Sequence, residues 1–466
     1  MNVPAGIAAG HPATAEAGAE ILADGGNAAD AAVAAALASC VAETVMTGLL
    51  GGGHAIYLDA PTGRVRNLDC FCAVPGLGAE PREPELVRLE VPFGEELVHY
   101  AVGPASCAVP GVPAGLGELW REHGRLPWRR LVEPALRLAH EGVVMPPAHV
   151  ACLEMLAPVM TLREGAAMYA PGGRLLRAGD RLEQPGLVVA LETLAEEGSA
   201  SAYSGSLGSA LLGLSDERGG LITRADLDTY AAEWSDPVEV ERLGVRHLTR
   251  AGLFGVPATL ERLRSLRGLS NTERVLALVG ALSGEEDAHT HTTNLVAVDD
   301  DGSACVLTTS LGLGSGDWLP GLDLHLNSML GEVDLLRGPL EPGGRMQSMM
   351  APSLAFDRDG PALAIGSAGG TRLRTALVTV VAAVLDEGHE PQAAVELPRV
   401  HPGGGVVNAE PGVDEAALDL LEASGHAVRR WPARHHYFGG VSAVGRRGAG
   451  ADPRRNGEAR PLRGGS

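Results

Sequence analysis

The chain contains no lysine. Its basic residues are all arginine, and Asp and Glu outnumber them so far that the formal charge is −21 over 466 residues. Nucleic acid and anionic membrane surfaces both require a basic face, so this balance argues against either as a partner. Aromatic residues make up only 3% of the chain, against 45% hydrophobic residues in all. The core must therefore be filled by Ala, Gly and aliphatic side chains, with helices and sheets packed at close range. No Gly-x-Ser-x-Gly run occurs, which removes the nucleophile elbow of the serine α/β-hydrolases. No apolar run reaches membrane-spanning length; Ala31–Cys40 is short and flanked by acidic residues. The first residues lack a charged segment leading into an apolar one, so the expectation is a soluble cytoplasmic protein. The six cysteines (40, 70, 72, 107, 152 and 305) are scattered, with Cys70 and Cys72 too close for a CxxC half-site, and read as buried thiols. His289, His291, His435 and His436 share no ligand spacing with acidic or Cys partners, so no metal and no cofactor is expected.

What is present is a dense succession of short elements. Thr14–Asp24 reads as a helix stopped by Gly25-Gly26, and Asn27 caps a second, Ala-rich helix with Asp30 in its first turn. Thr47–Gly53 is a glycine-rich turn leading into a strand, His54–Asp59. Residues 76–96 are rich in Pro and Glu and read as a surface excursion. Residues 115–235 alternate helices with loops, and 260–288 is helical and polar. Thr371–Asp386 carries a continuous apolar stripe and reads as a helix, while Gly448–Ser466 reads as a loose tail.

Two places carry chemistry. Beyond Asn294 the chain alternates β-type runs around Asp299–Gly302, which predicts a hairpin. Opposed residues of an antiparallel pair have a constant sum of sequence numbers. A turn centred on Asp301 sets that sum, and Thr292 then faces Ser310 at the hairpin's open end. Alone, this is no more than a Thr–Ser cross-strand pair. The second place is Gly366–Gly370, between a strand and a helix. Backbone N–H groups there, free of side chains, suit an anion or the oxyanion of an acyl-transfer reaction, though an ordinary tight turn has the same composition. The Gly312–Gly316 run leads into Asp-Trp-Leu-Pro rather than a helix, so it is not a dinucleotide loop.

These pieces stand within a longer pattern: His11-Pro12, Glu16-Ala17-Gly18, Gly25-Gly26-Asn27-Ala28-Ala29-Asp30, Gly51-Gly52-Gly53, Ala108-Val109-Pro110-Gly111, His123-Gly124-Arg125-Leu126-Pro127, Gly220-Leu221-Ile222-Thr223, Thr292-Thr293, Val298-Asp299, Gly369-Gly370 and Asp452-Pro453-Arg454-Arg455. In this order they resemble the γ-glutamyltranspeptidases over nearly the whole chain. The resemblance implies an α+β fold, the four-layer αββα sandwich of N-terminal-nucleophile hydrolases. It implies self-cleavage between His291 and Thr292, giving a large fragment of 1–291 and a small fragment of 292–466 that associate as an αβ heterodimer. Thr292 becomes the nucleophile, with its own freed α-amine as base. Ser310 is the second hydroxyl beside it, and the Gly369 and Gly370 N–H groups bind the oxyanion.

The same resemblance exposes departures in substrate recognition. Where the family holds the glutamate α-carboxylate with Arg, this chain has Phe71. Where an acidic residue holds the α-ammonium, it has Gly331, after Asn327-Ser328-Met329. The position of a further amino-acid-binding Asn is Gly312. Of a Ser-Ser pair, Ser348 is kept and Met349 replaces the second. A carboxylate buried without its guanidinium is disfavoured by several kcal/mol, so the pattern points to a non-glutamyl small-molecule substrate. Relatives of this kind occur in actinobacterial specialised metabolism, including antibiotic pathways, where some are thought to hydrolyse a carbon–carbon bond next to a carbonyl. The alternatives are a true γ-glutamyl transferase or glutathione hydrolase with a rebuilt site, and an unprocessed non-catalytic scaffold.

Overall fold

In a computed structural model of the protein, residues 3–80, 84–93, 96–283, 292–336, 338–370 and 372–462 are described. Two antiparallel sheets form the centre. The first has seven strands in the order Glu458–Pro461, Gly6–Ala9, Thr293–Val298, Ala304–Ser310, Gly52–Asp59, Arg64–Cys70 and Glu233–Ser235. The second has six, in the order Gly448–Ala451, Gly440–Gly445, Gly360–Ala368, Ser353–Asp357, Val245–Thr249 and Val238–Arg242.

Alternation along the strands assigns each face. Ala8, Ile56, Leu58, Val296, Val298, Ala304 and Val306 of the first sheet meet Leu248, Leu354, Ala364 and Val444 of the second in one buried cluster. The residues in between point outward. Ile7, Ala55, Leu295, Ala297, Cys305 and Leu307 pack under the helices Pro12–Ala23, Ala28–Ala42, Val112–His123 and Trp128–Glu141. Leu363 and Ile365 pack under Val256–Arg262, Asn271–Leu282 and Arg372–Ala382 on the other side. The result is the αββα sandwich. Every residue of the helix Ala28–Ala42 is buried. Its Ala-rich surface lets sheet and neighbouring helices approach on all sides, and its start is fixed by a reciprocal Asn27–Asp30 capping box.

Two expectations are corrected. The segment from Gly448 is not loose: Gly448–Ala451 and Glu458–Pro461 are strands, the latter pairing residue for residue with Gly6–Ala9. A buried ion cluster pins it, with Arg399 2.5 Å from Asp452 and Arg454 bound to Glu410 and Asp452. The excursion over 76–96 ends in a hairpin, Val87–Phe93 with Glu96–Val102, whose Val91 and Tyr100 are buried. All six cysteines are free and buried. No helix among the described residues is long and apolar enough to cross a membrane.

Candidate active site

The observed register of the hairpin pairs Thr293 with Thr309, Asn294 with Thr308 and Val298 with Ala304. Its continuation sets Thr292 opposite Ser310, as the Asp-Gly turn dictates. The faces then follow from the strand period of two. Val296 and Val298 point between the sheets, so Asn294 and Thr292 point there as well. Thr293 points the other way, into the helical layer. Asn294 donates to Thr308 Oγ1 at 2.8 Å and to the Leu307 carbonyl at 3.1 Å. Gly366 of the facing sheet has no side chain because a Cβ there would collide with that amide. Thr292 and Ser310 are each 2% exposed. Ser310 Oγ accepts the Gly312 N–H at 2.8 Å.

Opposite the two hydroxyls, the strand Gly360–Ala368 ends in Gly369 (φ 126°) and Gly370 (φ 59°), immediately before the helix Arg372–Ala382. Two successive residues with positive φ call for glycine, and a Cβ on Gly369 would stand 2.8 Å from the Gly439 Cα. Gly370 joins Phe71, Thr292, Ser310, Met329, Leu335, Ser348, Met349, Met350 and Leu373 around one cavity. Thr292, Ser310, Phe71, Ser348, Met349 and Gly370 are thus brought together. Gly369, Gly312, Ser328 and Gly331 stand behind that lining rather than on it. Ser328 Oγ accepts the Leu313 N–H at 3.0 Å. His291 lies outside the described residues.

The positions expected to bind substrate have physical reasons to be as they are. Phe71 is buried and stacks on His54 with centroids 5.4 Å apart. Its backbone carbonyl is claimed by Tyr230 at 2.6 Å and Arg345 at 2.8 Å. Arg345 in turn lies 3.5 Å from Asp69 and over the Tyr230 ring, and among the described residues no arginine lines the cavity. At Gly331 a Cβ would collide with the Ala101 carbonyl oxygen. The hairpin's own backbone fills the space that an acidic side chain would need. At Gly312 a Cβ would collide with the Glu332 carboxylate, so the missing side chain has made room for a buried acid. Asn327 is a brace: it accepts the Ala108 and Met329 N–H groups and donates to the Leu50 and Ala108 carbonyls.

Sequence reasoning missed a second group on the helical side of Thr292. Glu43, just past the helix Ala28–Ala42, accepts Thr293 Oγ1–H at 2.5 Å and Thr14 Oγ1–H at 2.7 Å. Burial pushes its carboxyl up to about 6, against the lowering effect of both hydroxyls and of Arg455. The neighbouring His149 and His11 are pushed down to about 3 and about 4, chiefly by burial, so both are neutral at physiological pH. The only available signal was an acidic residue closing an otherwise apolar run.

The γ-glutamyltranspeptidase family model matches residues 14–277 and 261–462. The Acylase ACY 1 proenzyme of Pseudomonas sp. (strain SE83) is 30% identical over 502 residues, spanning 94% of this chain and 89% of that protein. Glutathione hydrolase proenzyme 2 of Schizosaccharomyces pombe is 25% identical over 536 residues, with 97% and 86% covered. Among solved structures, the cephalosporin acylase from Bacillus halodurans matches with a TM-score of 0.84 at 23% identity, covering 100% of this chain and 97% of that one, a likeness of fold. The chain belongs to the γ-glutamyltranspeptidase family of N-terminal-nucleophile hydrolases, and it is an enzyme.

Proposed function

We propose that the protein is an autoprocessing hydrolase that cleaves amides of a neutral, largely apolar acyl group. The observation that carries this reading is the cavity at Thr292. It is lined by Phe71, Met329, Leu335, Met349, Met350 and Leu373, with no guanidinium in its walls among the described residues. A free glutamyl carboxylate would lose its hydration there without a cationic partner, at a cost of several kcal/mol. An alkyl or aryl acyl chain loses nothing comparable and gains roughly 25 cal/mol for each Å² it buries. Relatives named acylase are consistent with that preference.

The chemistry follows from the residues at hand. In the precursor, Thr292 Oγ1 attacks the carbonyl carbon of residue 291. The C–N bond breaks as the ester forms, and water then splits the ester. A carboxylate is left on His291 and a free amine on Thr292, and fragments 1–291 and 292–466 stay together through the shared first sheet. In the mature enzyme that amine takes the Thr292 hydroxyl proton while Oγ1 attacks the substrate carbonyl. Ser310 sits beside the nucleophile, and the developing oxyanion is assigned to the backbone N–H of Gly370 on the cavity wall, with Gly369 next to it in the turn. The amine leaves with the proton, and water releases the acid.

The test is a set of p-nitroanilides offered to the purified protein. Hexanoyl or phenylacetyl anilide is expected to turn over at least tenfold faster, in kcat/KM, than the γ-glutamyl anilide. A γ-glutamyl anilide that is the better substrate would overturn the reading in favour of a rebuilt γ-glutamyl site, with the Glu332 carboxylate beside Gly312 as its ammonium partner. A single undigested band in denaturing electrophoresis would reject processing altogether.

A further inference from the structure

Behind the nucleophile, on the side away from the acyl cavity, lies a second enclosed space that Thr292 shares with Thr293, Glu43, His149, Ser442 and Arg455. The carboxylate reaches it because residue 10 is glycine. A Cβ on Gly10 would be 2.6 Å from Glu43 Oε2 and 2.9 Å from Thr293 Oγ1. Arg455 is buried, its Nη1 rests on the Met46 sulfur at 3.0 Å, and its Nε has no hydrogen-bond partner among the described residues. A buried carboxylate and a buried guanidinium thus border the space in which the terminal residue of the small fragment ends, and no direct ion pair joins them among the described residues.

We infer that Glu43 is a positioning residue for the nucleophile, holding Thr293 by its hydroxyl and facing the liberated Thr292 amine across this space. The inference rests on the reading of Thr292 as nucleophile. Strand alternation sends Thr293 into the helical layer and Thr292 between the sheets. Fixing the first therefore fixes the rotation of the second about the strand axis. A carboxylate near the amine also favours its protonated form and sets the pH above which it can act as base. The charged and titratable groups around Glu43 and the space it borders are Arg455, His149, His11 and Asp452, the last ion-paired with Arg399 and Arg454, with Cys40 one turn back on the same helix. The two histidines are neutral at the relevant pH, which leaves Arg455 as the opposing charge.

The absence of lysine gives a direct measurement. Chain termini supply the only primary amines, so an amine-directed label such as cyanate, read by mass spectrometry on the small fragment, reports Thr292 alone. The wild-type protein establishes processing first, through label on a fragment beginning at Thr292. Glu43→Gln and Thr293→Val are then compared with it, and Thr293→Ser serves as the conservative control. The expected result is slower fragment appearance, by at least tenfold, in both Glu43→Gln and Thr293→Val. Thr293→Ser should be near wild type. In Glu43→Gln the labelling midpoint should also move to lower pH by about one unit. Wild-type rates and an unmoved midpoint in both variants would reject the role of Glu43 while leaving Thr292 as nucleophile. A wild-type protein with no label at Thr292 would instead reject the underlying reading.

Discussion

The Glu43 carboxyl makes a quantitative prediction about folding. Burial raises its pKa from 4.5 in the free residue to about 6 in the folded chain. Between those values the unfolded chain has released the proton and the folded chain still holds it. Rising pH therefore favours the unfolded state across this window and has no further effect above it. At about 1.4 kcal/mol per unit, the ionised Glu43 costs roughly 2 kcal/mol at pH 7 that is absent below pH 4.5. His11 and His149, lowered to about 4 and about 3, pull the other way, because the unfolded chain gains protons as pH falls through about 6.5. Total stability against pH therefore mixes opposing slopes, and only a difference between variants isolates Glu43. The assay is urea unfolding between pH 4.5 and 7.5, on a Thr292→Ala background that keeps one chain, with and without Glu43→Gln. The glutamine variant is expected to gain about 2 kcal/mol relative to its parent as pH rises across that range. A difference that stays flat with pH would refute the claim that this carboxyl is buried and protonated near pH 5.

Three further outcomes follow from the packing. Gly331→Ala is expected to lower stability by about 1–3 kcal/mol, the usual cost of overpacking, because its methyl meets the Ala101 carbonyl oxygen; thermal unfolding reads this, and an unchanged midpoint would mean that the hairpin Glu96–Val102 is not seated there. Asn327→Ala should cost about 3 kcal/mol, since it strands the Ala108 N–H and the Leu50 and Ala108 carbonyls in a site without solvent. Arg399→Ala should cost about 3–5 kcal/mol by leaving the buried Asp452 carboxylate short of a partner, with proteolysis of the segment after Gly448 as the sensitive readout.

The hairpin that begins at Thr292 was legible because two local rules sufficed: an Asp-Gly turn fixes the register, and the register fixes which residues face each other. The turn at Gly369-Gly370 was legible as a turn, since consecutive glycines between a strand and a helix suit its positive φ angles. The tail was misread because Glu458-Ala459-Arg460-Pro461 has no apolar alternation to mark a strand, and its pairing partner, Gly6–Ala9, lies at the opposite end of the chain. That Gly331 has no room for a side chain was not legible, because the obstacle is the Ala101 carbonyl oxygen, which no local pattern reveals. Glu43 was seen only as a charge beside an apolar helix. Its meaning depends on Thr293 and Arg455, brought to it by the first sheet and by the turn after Asp452.

The proposed mechanism requires the chain to open its own backbone so that Thr292 acquires a free amine. Amine labelling of the intact mass under denaturing conditions measures this directly, because no lysine side chain competes. Wild-type protein is expected to give two fragments, the smaller beginning at Thr292 and carrying one label on that residue, while Thr292→Ala gives one uncut chain without label at that position. An uncut wild-type chain that still hydrolyses an anilide, or a Thr292→Ala protein with undiminished turnover, would contradict it.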